Sequence, residues 1–187
     1  MPDTFVFGYG SLLPRSRPGI RCDLREHRRE WGVAMKNRVT VPGYKYYMDR
    51  ETGERPDVFV AFLNIRPEAG AHVNGVAFAV DPGELLALDR RERNYRRRDV
   101  TELIEGEVPG RVYAYVGSPS GRRRLARGVA AGTAIVTQEY LDGVRADFAA
   151  YGPQVLAEFE ATTDPLDLPV RPLLRVAVAE DTYSGVT

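Results

Sequence analysis

Two stretches of the chain carry residue types suited to chemistry. The first is Gly8-Tyr9-Gly10-Ser11-Leu12, which closes the apolar run Phe5-Val6-Phe7. A buried strand that breaks into Gly-x-Gly-Ser turns sharply and exposes its backbone amides, which suits it to hold a carboxylate or a developing oxyanion. Glycines at a strand end also serve where only a tight turn is needed, so this turn takes on catalytic meaning only with a second site. Glu92 supplies one. At roughly 100° per residue, Leu85, Leu88 and Glu92 fall on one face of a helix, so the carboxylate points where the leucines point. Desolvation there disfavours the charged form and raises the pKa toward the range of a general base working near neutrality. Asp89 borders the same face as a weaker candidate. The alternative is a surface pairing, because Arg90, Arg91, Arg93 and Arg96 surround Glu92.

The elements that must position these residues are read from pattern. Phe5 to Phe7 predicts a buried strand. Pro14 to Arg29 is rich in Pro and Arg and predicts a connection with at most a short helix. Trp31 to Arg38 predicts a strand, and Val39 to Pro56 a loop whose Tyr44, Tyr46 and Tyr47 either line a pocket or pack the loop onto the body. The near-continuous apolar runs Val58 to Ile65 and Val73 to Val80, with Pro and Gly between them, predict a hairpin buried on both faces. Asp81-Pro82-Gly83-Glu84 has the signature of a capped helix start, which predicts a helix from Pro82 to about Arg93. Strands are expected from Tyr95 to Ile104 and Arg111 to Val116. Helices follow over Ser120 to Ala131, Thr137 to Ala150 and Pro153 to Glu160, with Leu141, Val144 and Phe148 on one face of the middle one. Asp164 to Thr187, with three prolines before Leu173 to Val178, predicts an extended segment docked on the body with its last residues frayed. No repeat or linker interrupts residues 1–187, so one domain is expected.

Composition narrows the function classes. The chain has 187 residues, 43% of them hydrophobic, and no apolar stretch approaches the roughly 20 residues that span a bilayer. Met1 to Thr4 lacks the basic region of a signal peptide, so a cytoplasmic location without a membrane segment is expected. Cys22 is the only cysteine, which excludes an internal disulfide, and with His27 and His72 alone beside it no metal site is expected. The 26 basic and 26 acidic residues cancel. Arginines cluster at Arg96 to Arg98 and Arg122 to Arg124, but solvated faces account for them, and overall neutrality argues against a nucleic-acid partner.

Spacing removes other readings of the turn. A dinucleotide fingerprint needs a third glycine where Leu13 stands, and a P-loop needs Gly-Lys-Ser or Gly-Lys-Thr. A nucleophile elbow needs glycines two before and two after the serine, but Leu13 occupies the second place, and two histidines make a triad improbable. Ser11 therefore reads as a hydrogen-bond donor.

Phe7-Gly8-Tyr9-Gly10-Ser11-Leu12, Leu88-Asp89-Arg90-Arg91-Glu92, Tyr95 to Val100 and the later Gln138-Glu139-Tyr140-Leu141-Asp142-Gly143-Val144 together resemble the gamma-glutamylcyclotransferase superfamily, in its bacterial Tyr-Gly-Ser-Leu form. The resemblance implies an α+β fold, a small mixed β-barrel with helices packed around it. It implies a pocket in which Tyr9, Gly10, Ser11 and Leu12 bind substrate opposite a catalytic Glu92, with no cofactor and a small γ-glutamyl compound as partner. The reaction it implies is attack of the free α-amine of a γ-glutamyl group on its own γ-carbonyl, releasing 5-oxoproline and an amine. Two departures bear on the substrate. Some relatives have Asn where Leu12 stands, and others carry a tyrosine after the Pro-Ser turn, where Pro119-Ser120 here leads into Gly121 and three arginines. Tyr113, Tyr115 and Tyr140 are the candidates to replace it. The leaving group and the oligomeric state stay open, and a non-catalytic ligand-binding domain with the same pocket is the alternative.

Overall fold

The computed structural model describes residues 3–180. In chain order the elements are β1 (Thr4–Gly8), β2 (Ile20–Lys36), β3 (Lys45–Asp49), β4 (Phe59–Ala79), α1 (Pro82–Arg91), β5 (Tyr95–Asp99), a 3-10 turn at Thr101–Leu103, β6 (Ile104–Glu105), β7 (Arg111–Gly117), α2 (Pro119–Ala130), β8 (Ala134–Thr137), α3 (Gln138–Ala149), α4 (Pro153–Ala161), β9 (Val170–Arg171) and β10 (Leu173–Ala177). The main sheet is mixed and curled into a half-barrel, in the order β5-β7-β1-β4-β2-β6, with β8 beside β4 and β9 beside β8. β1 runs parallel to β7 and antiparallel to β4. A separate two-stranded ribbon joins β3 to β10. This is the α+β fold that the resemblance implied.

Alternation on β1 puts the sheet between two apolar layers. Phe5 and Phe7 point to the main core, with Leu24, Leu63, Ile65, Val73 and Val76 of the sheet and Phe148 and Phe159 of the last two helices. Val6 points the other way, to Phe78, Val80 and Tyr115, where Leu85 and Leu88 of α1 close the layer. A third cluster gathers Val33, Val60, Phe62 and Ile135 with Tyr47 and Leu173 of the ribbon. Each fully buried Phe or Leu stabilises the fold by about 2 kcal/mol.

Several expectations are corrected. Pro14 to Arg29 is not mainly a connection, because β2 starts at Ile20 and runs to Lys36. Ile20, Cys22 and Leu24 alternate toward the core, between charged residues that hide the period. The two apolar runs of β4 do not form a hairpin. Both halves pair with β2, and the register jumps from Arg25↔His72 to His27↔Pro67. Residues 68–71 thus bulge opposite Glu26, where Glu26 (φ 56°) and Gly70 (φ 75°) take left-handed conformations and the Gly70 amide donates to the Glu26 carboxylate at 3.1 Å. Val39 to Pro56 is not all loop, since β3 finds its partner in β10, more than a hundred residues on. The helix predicted to reach Arg93 stops at Arg91, with Glu92 as its C-cap.

The capped start of α1 is as predicted: Asp81 accepts from the Glu84 amide at 2.8 Å, and Glu84 accepts from the Asp81 amide at 3.0 Å. The three later helices lie where expected, and β8 between them was not foreseen. The predicted strand from Tyr95 ends at Asp99 and gives way to the 3-10 turn. The docked tail is β9 and β10, and the frayed last residues lie outside the described residues. No helix among the described residues is long and apolar enough to cross a membrane.

Candidate active site

The turn after β1 is tied at both ends of Tyr9. Its hydroxyl donates to the Tyr115 carbonyl, and its carbonyl accepts from Arg29 Nε at 2.9 Å. Arg29 is fully buried. Its other nitrogens donate to Asn74 and to Phe159, Thr162 and Thr163, and its guanidinium lies 5.1 Å from the Phe148 ring centre and 4.6 Å from that of Phe159. Burial pulls its pKa down to about 9. The turn closes with the Leu13 amide donating to the Gly10 carbonyl at 3.1 Å. Among the described residues the amides of Gly10, Ser11 and Leu12 have no backbone partner. Gly8 must be glycine, because a β-carbon there would sit 2.8 Å from the Leu12 carbonyl oxygen.

Glu92 faces this turn. As C-cap of α1 it has φ −86° and ψ 51°, and its amide still donates to the Leu88 carbonyl at 2.8 Å. From there the side chain lines a recess with Tyr9, Gly10, Ser11, Leu12, Tyr95, Tyr115 and Tyr140, and Leu12, Tyr95 and Tyr115 belong to the layer that Leu85 and Leu88 close. Only 13% of the side chain is exposed, and Arg91 Nε lies 3.3 Å from Oε1. Burial raises the Glu92 pKa, and Arg91 and then Lys45 oppose the rise. The surface pairing weighed against catalysis is therefore present in part: the arginine is exposed but the carboxylate is not.

The recess opens into a cavity of about 610 Å³ that Ser11, Glu92, Tyr95 and Tyr140 also line, together with Tyr44, Lys45, Phe62, Glu139 and Arg175. Of the three tyrosines considered, Tyr140 reaches both spaces. It projects from the first turn of α3, its ring meets Phe62 and Trp31 edge-on, and its hydroxyl contacts Ser11 and the Leu63 amide. Burial pushes its pKa up, so it stays a donor. Tyr115 lines the recess but its hydroxyl donates to Asp89 at 2.8 Å, and Tyr113 lies under Arg97. Asp89 also holds Arg97 at 2.9 Å and lines neither space. Tyr44 and Tyr47 line the cavity, whereas Tyr46 stacks on Arg55.

Sequence reading missed Lys45, Tyr95 and Arg175. The signal for Lys45 was the alternation of Lys45, Tyr47 and Asp49 within a segment read as loop. Among the described residues one group has donor atoms placed to hold a metal ion, namely Asp23, His72 and Glu158, within 4.8 Å of one another, and none of them lines the cavity.

The family model for gamma-glutamyl cyclotransferase, AIG2-like, matches residues 6–133, from β1 to the start of β8. The chain belongs to that family. The match includes the turn and Glu92, and stops before Tyr140 and the ribbon strand β10. No curated protein matches the cyclotransferase-like chain. Among solved structures, YkqA from Bacillus subtilis aligns with a TM-score of 0.57 at 13% identity, over 90% of this chain and 56% of that one. The chain thus spans little more than half of YkqA. An uncharacterized human protein aligns with a TM-score of 0.53 at 14% identity, over 95% of this chain and 94% of that one. At these identities the two likenesses speak to the fold.

Proposed function

We propose that the cavity binds a γ-glutamyl compound and closes its head group into 5-oxoproline. The observation that carries this reading is the position of Glu92, a buried carboxylate with a raised pKa in the same recess as the Tyr9 to Leu12 turn. The α-amine nitrogen attacks the γ-carbon, a C–N bond forms, and the bond from the γ-carbon to the leaving nitrogen breaks. The amine gives up one proton and the leaving nitrogen gains one, so no water is consumed. Glu92 takes the first proton and delivers the second, serving as base and then acid.

The amides of Gly10, Ser11 and Leu12 hold the head-group carboxylate or the oxyanion, and Tyr9 and Tyr140 wall the recess so that amine and carbonyl stay in reach. Holding both ends of one molecule together contributes about 7 kcal/mol or more to such a reaction. The substrate brings its own nucleophile, which agrees with a recess that offers neither cysteine nor histidine. The reading treats residues 1–187 as one catalytic domain acting in the cytoplasm. The test is incubation with a panel of γ-glutamyl amines and dipeptides. Release of 5-oxoproline with the free amine is expected; no product from any member would leave only a non-catalytic binding domain.

A further inference from the structure

The cavity beyond Glu92 is larger than a γ-glutamyl head needs, and its far wall is cationic. Four basic residues line it: Arg15, Lys45, Arg91 and Arg175. Arg15 is paired with Asp147 at 2.7 Å, and Arg91 lies against Glu92. Lys45 and Arg175 have no carboxylate within ion-pair distance among the described residues. Glu139, the remaining acid of the wall, accepts instead from the Arg175 backbone amide at 3.1 Å.

The ribbon puts the two free cations on one face. Its register pairs Tyr47 with Arg175 and Lys45 with Ala177. Directly opposed residues share a face, as do residues two apart on a strand, so Lys45, Tyr47 and Arg175 all project into the cavity. The Lys45 ammonium lies 4.4 Å from the Phe62 ring centre and 5.4 Å from that of Tyr44. Aromatic faces hold a cation there without neutralising it. Burial and then Arg175 pull its pKa down to about 8, with Glu92 and, more weakly, Glu139 opposing. An ammonium half-stripped of water beside a second unpaired cation is stabilised by any anion that enters.

We propose that Lys45 and Arg175 receive a carboxylate carried by the leaving group, so that the preferred substrates are γ-glutamyl amino acids or peptides rather than γ-glutamyl amines. This rests on the cyclotransferase reading and specifies its substrate class. The turn amides then serve the head group, and the ribbon serves the far end of the leaving group.

The experiment compares γ-glutamyl-alanine with γ-glutamyl-ethylamide, which has the same leaving group without its carboxylate. The readout is the ratio of their kcat/KM values, which is independent of the fraction of protein folded. The native chain should favour the dipeptide by about tenfold or more, the worth of one charge-assisted contact. Lys45→Met should bring the ratio close to one, mainly through KM for the dipeptide, and Arg175→Gln should lower it by less. A native ratio near one, or a ratio kept in both variants because the two substrates weaken together, would overturn the proposal. The second of these would place Lys45 on the head group. Release of 5-oxoproline from neither compound would overturn this inference, and release from no member of the wider panel would overturn the cyclotransferase reading as well.

Discussion

Glu92 and Arg29 are both buried charges, and they act in opposite senses. Burial raises the Glu92 pKa above its unfolded value, so its stabilising effect is complete at acid pH, where the group is protonated in both states. That effect is lost as pH rises through the folded-state value. Glu92→Gln removes a buried charge while keeping the shape. It should therefore raise the melting temperature at pH 7, and the gain should vanish below about pH 4, near the ordinary carboxylate value. A fall at pH 7, read by calorimetry, would mean that the Arg91 contact outweighs desolvation. Arg29, by contrast, organises the fold around the turn, since its five donors satisfy buried carbonyls of Tyr9 and Phe159 and groups on Asn74, Thr162 and Thr163. Arg29→Met leaves these acceptors without a donor and should cost about 2–4 kcal/mol in urea denaturation. Arg29→Lys should recover little, because an ammonium cannot match the planar fork.

The helix that presents Glu92 depends on its ends, because none of its residues is fully buried and Leu85 and Leu88 are only half-covered. Asp81→Ala breaks the capping box and should cost about 1 kcal/mol. Because Glu92 sits at the other end, the same change should lower kcat more than it raises KM, as steady-state kinetics would show. The start of this helix was legible from Asp81, Pro82 and Glu84. Its end was not, because Arg90 to Arg93 contain no glycine or asparagine stop and Asn94 comes two residues after the cap. Glu92 was still singled out as a desolvated carboxylate, which its burial and raised pKa bear out, although it stands at the C-cap and not inside the helix. Strands β3 and β10 show the same limit in sheet form. The apolar run of β10 was legible as an extended docked segment and β3 was not, but in neither case does the sequence name the partner, more than a hundred residues away, that pairs the two strands. Long-range pairing also turned a predicted hairpin into the continuous β4, since β2 is long enough to pair with both halves.

Across the whole molecule the site is a meeting of distant segments: the turn after β1, the C-cap of α1, the first turn of α3 and the ribbon of β3 and β10. The first two could be paired from sequence because each carries its own chemical signal. Tyr140 was named in the sequence but not chosen over Tyr113 and Tyr115, and Lys45 and Arg175 reach the cavity only through the pairing of β3 with β10. Net neutrality at the level of the chain conceals a cavity wall with two cations that have no ion-pair partner among the described residues, so the overall charge says little about the ligand. The central claim is that Glu92 moves the protons. It is tested most directly by measuring 5-oxoproline release by the Glu92→Gln variant beside the native protein, on the best substrate of the panel and at a temperature where both are folded. The account predicts a loss of kcat of about a hundredfold or more, and a variant that kept the native kcat would contradict it.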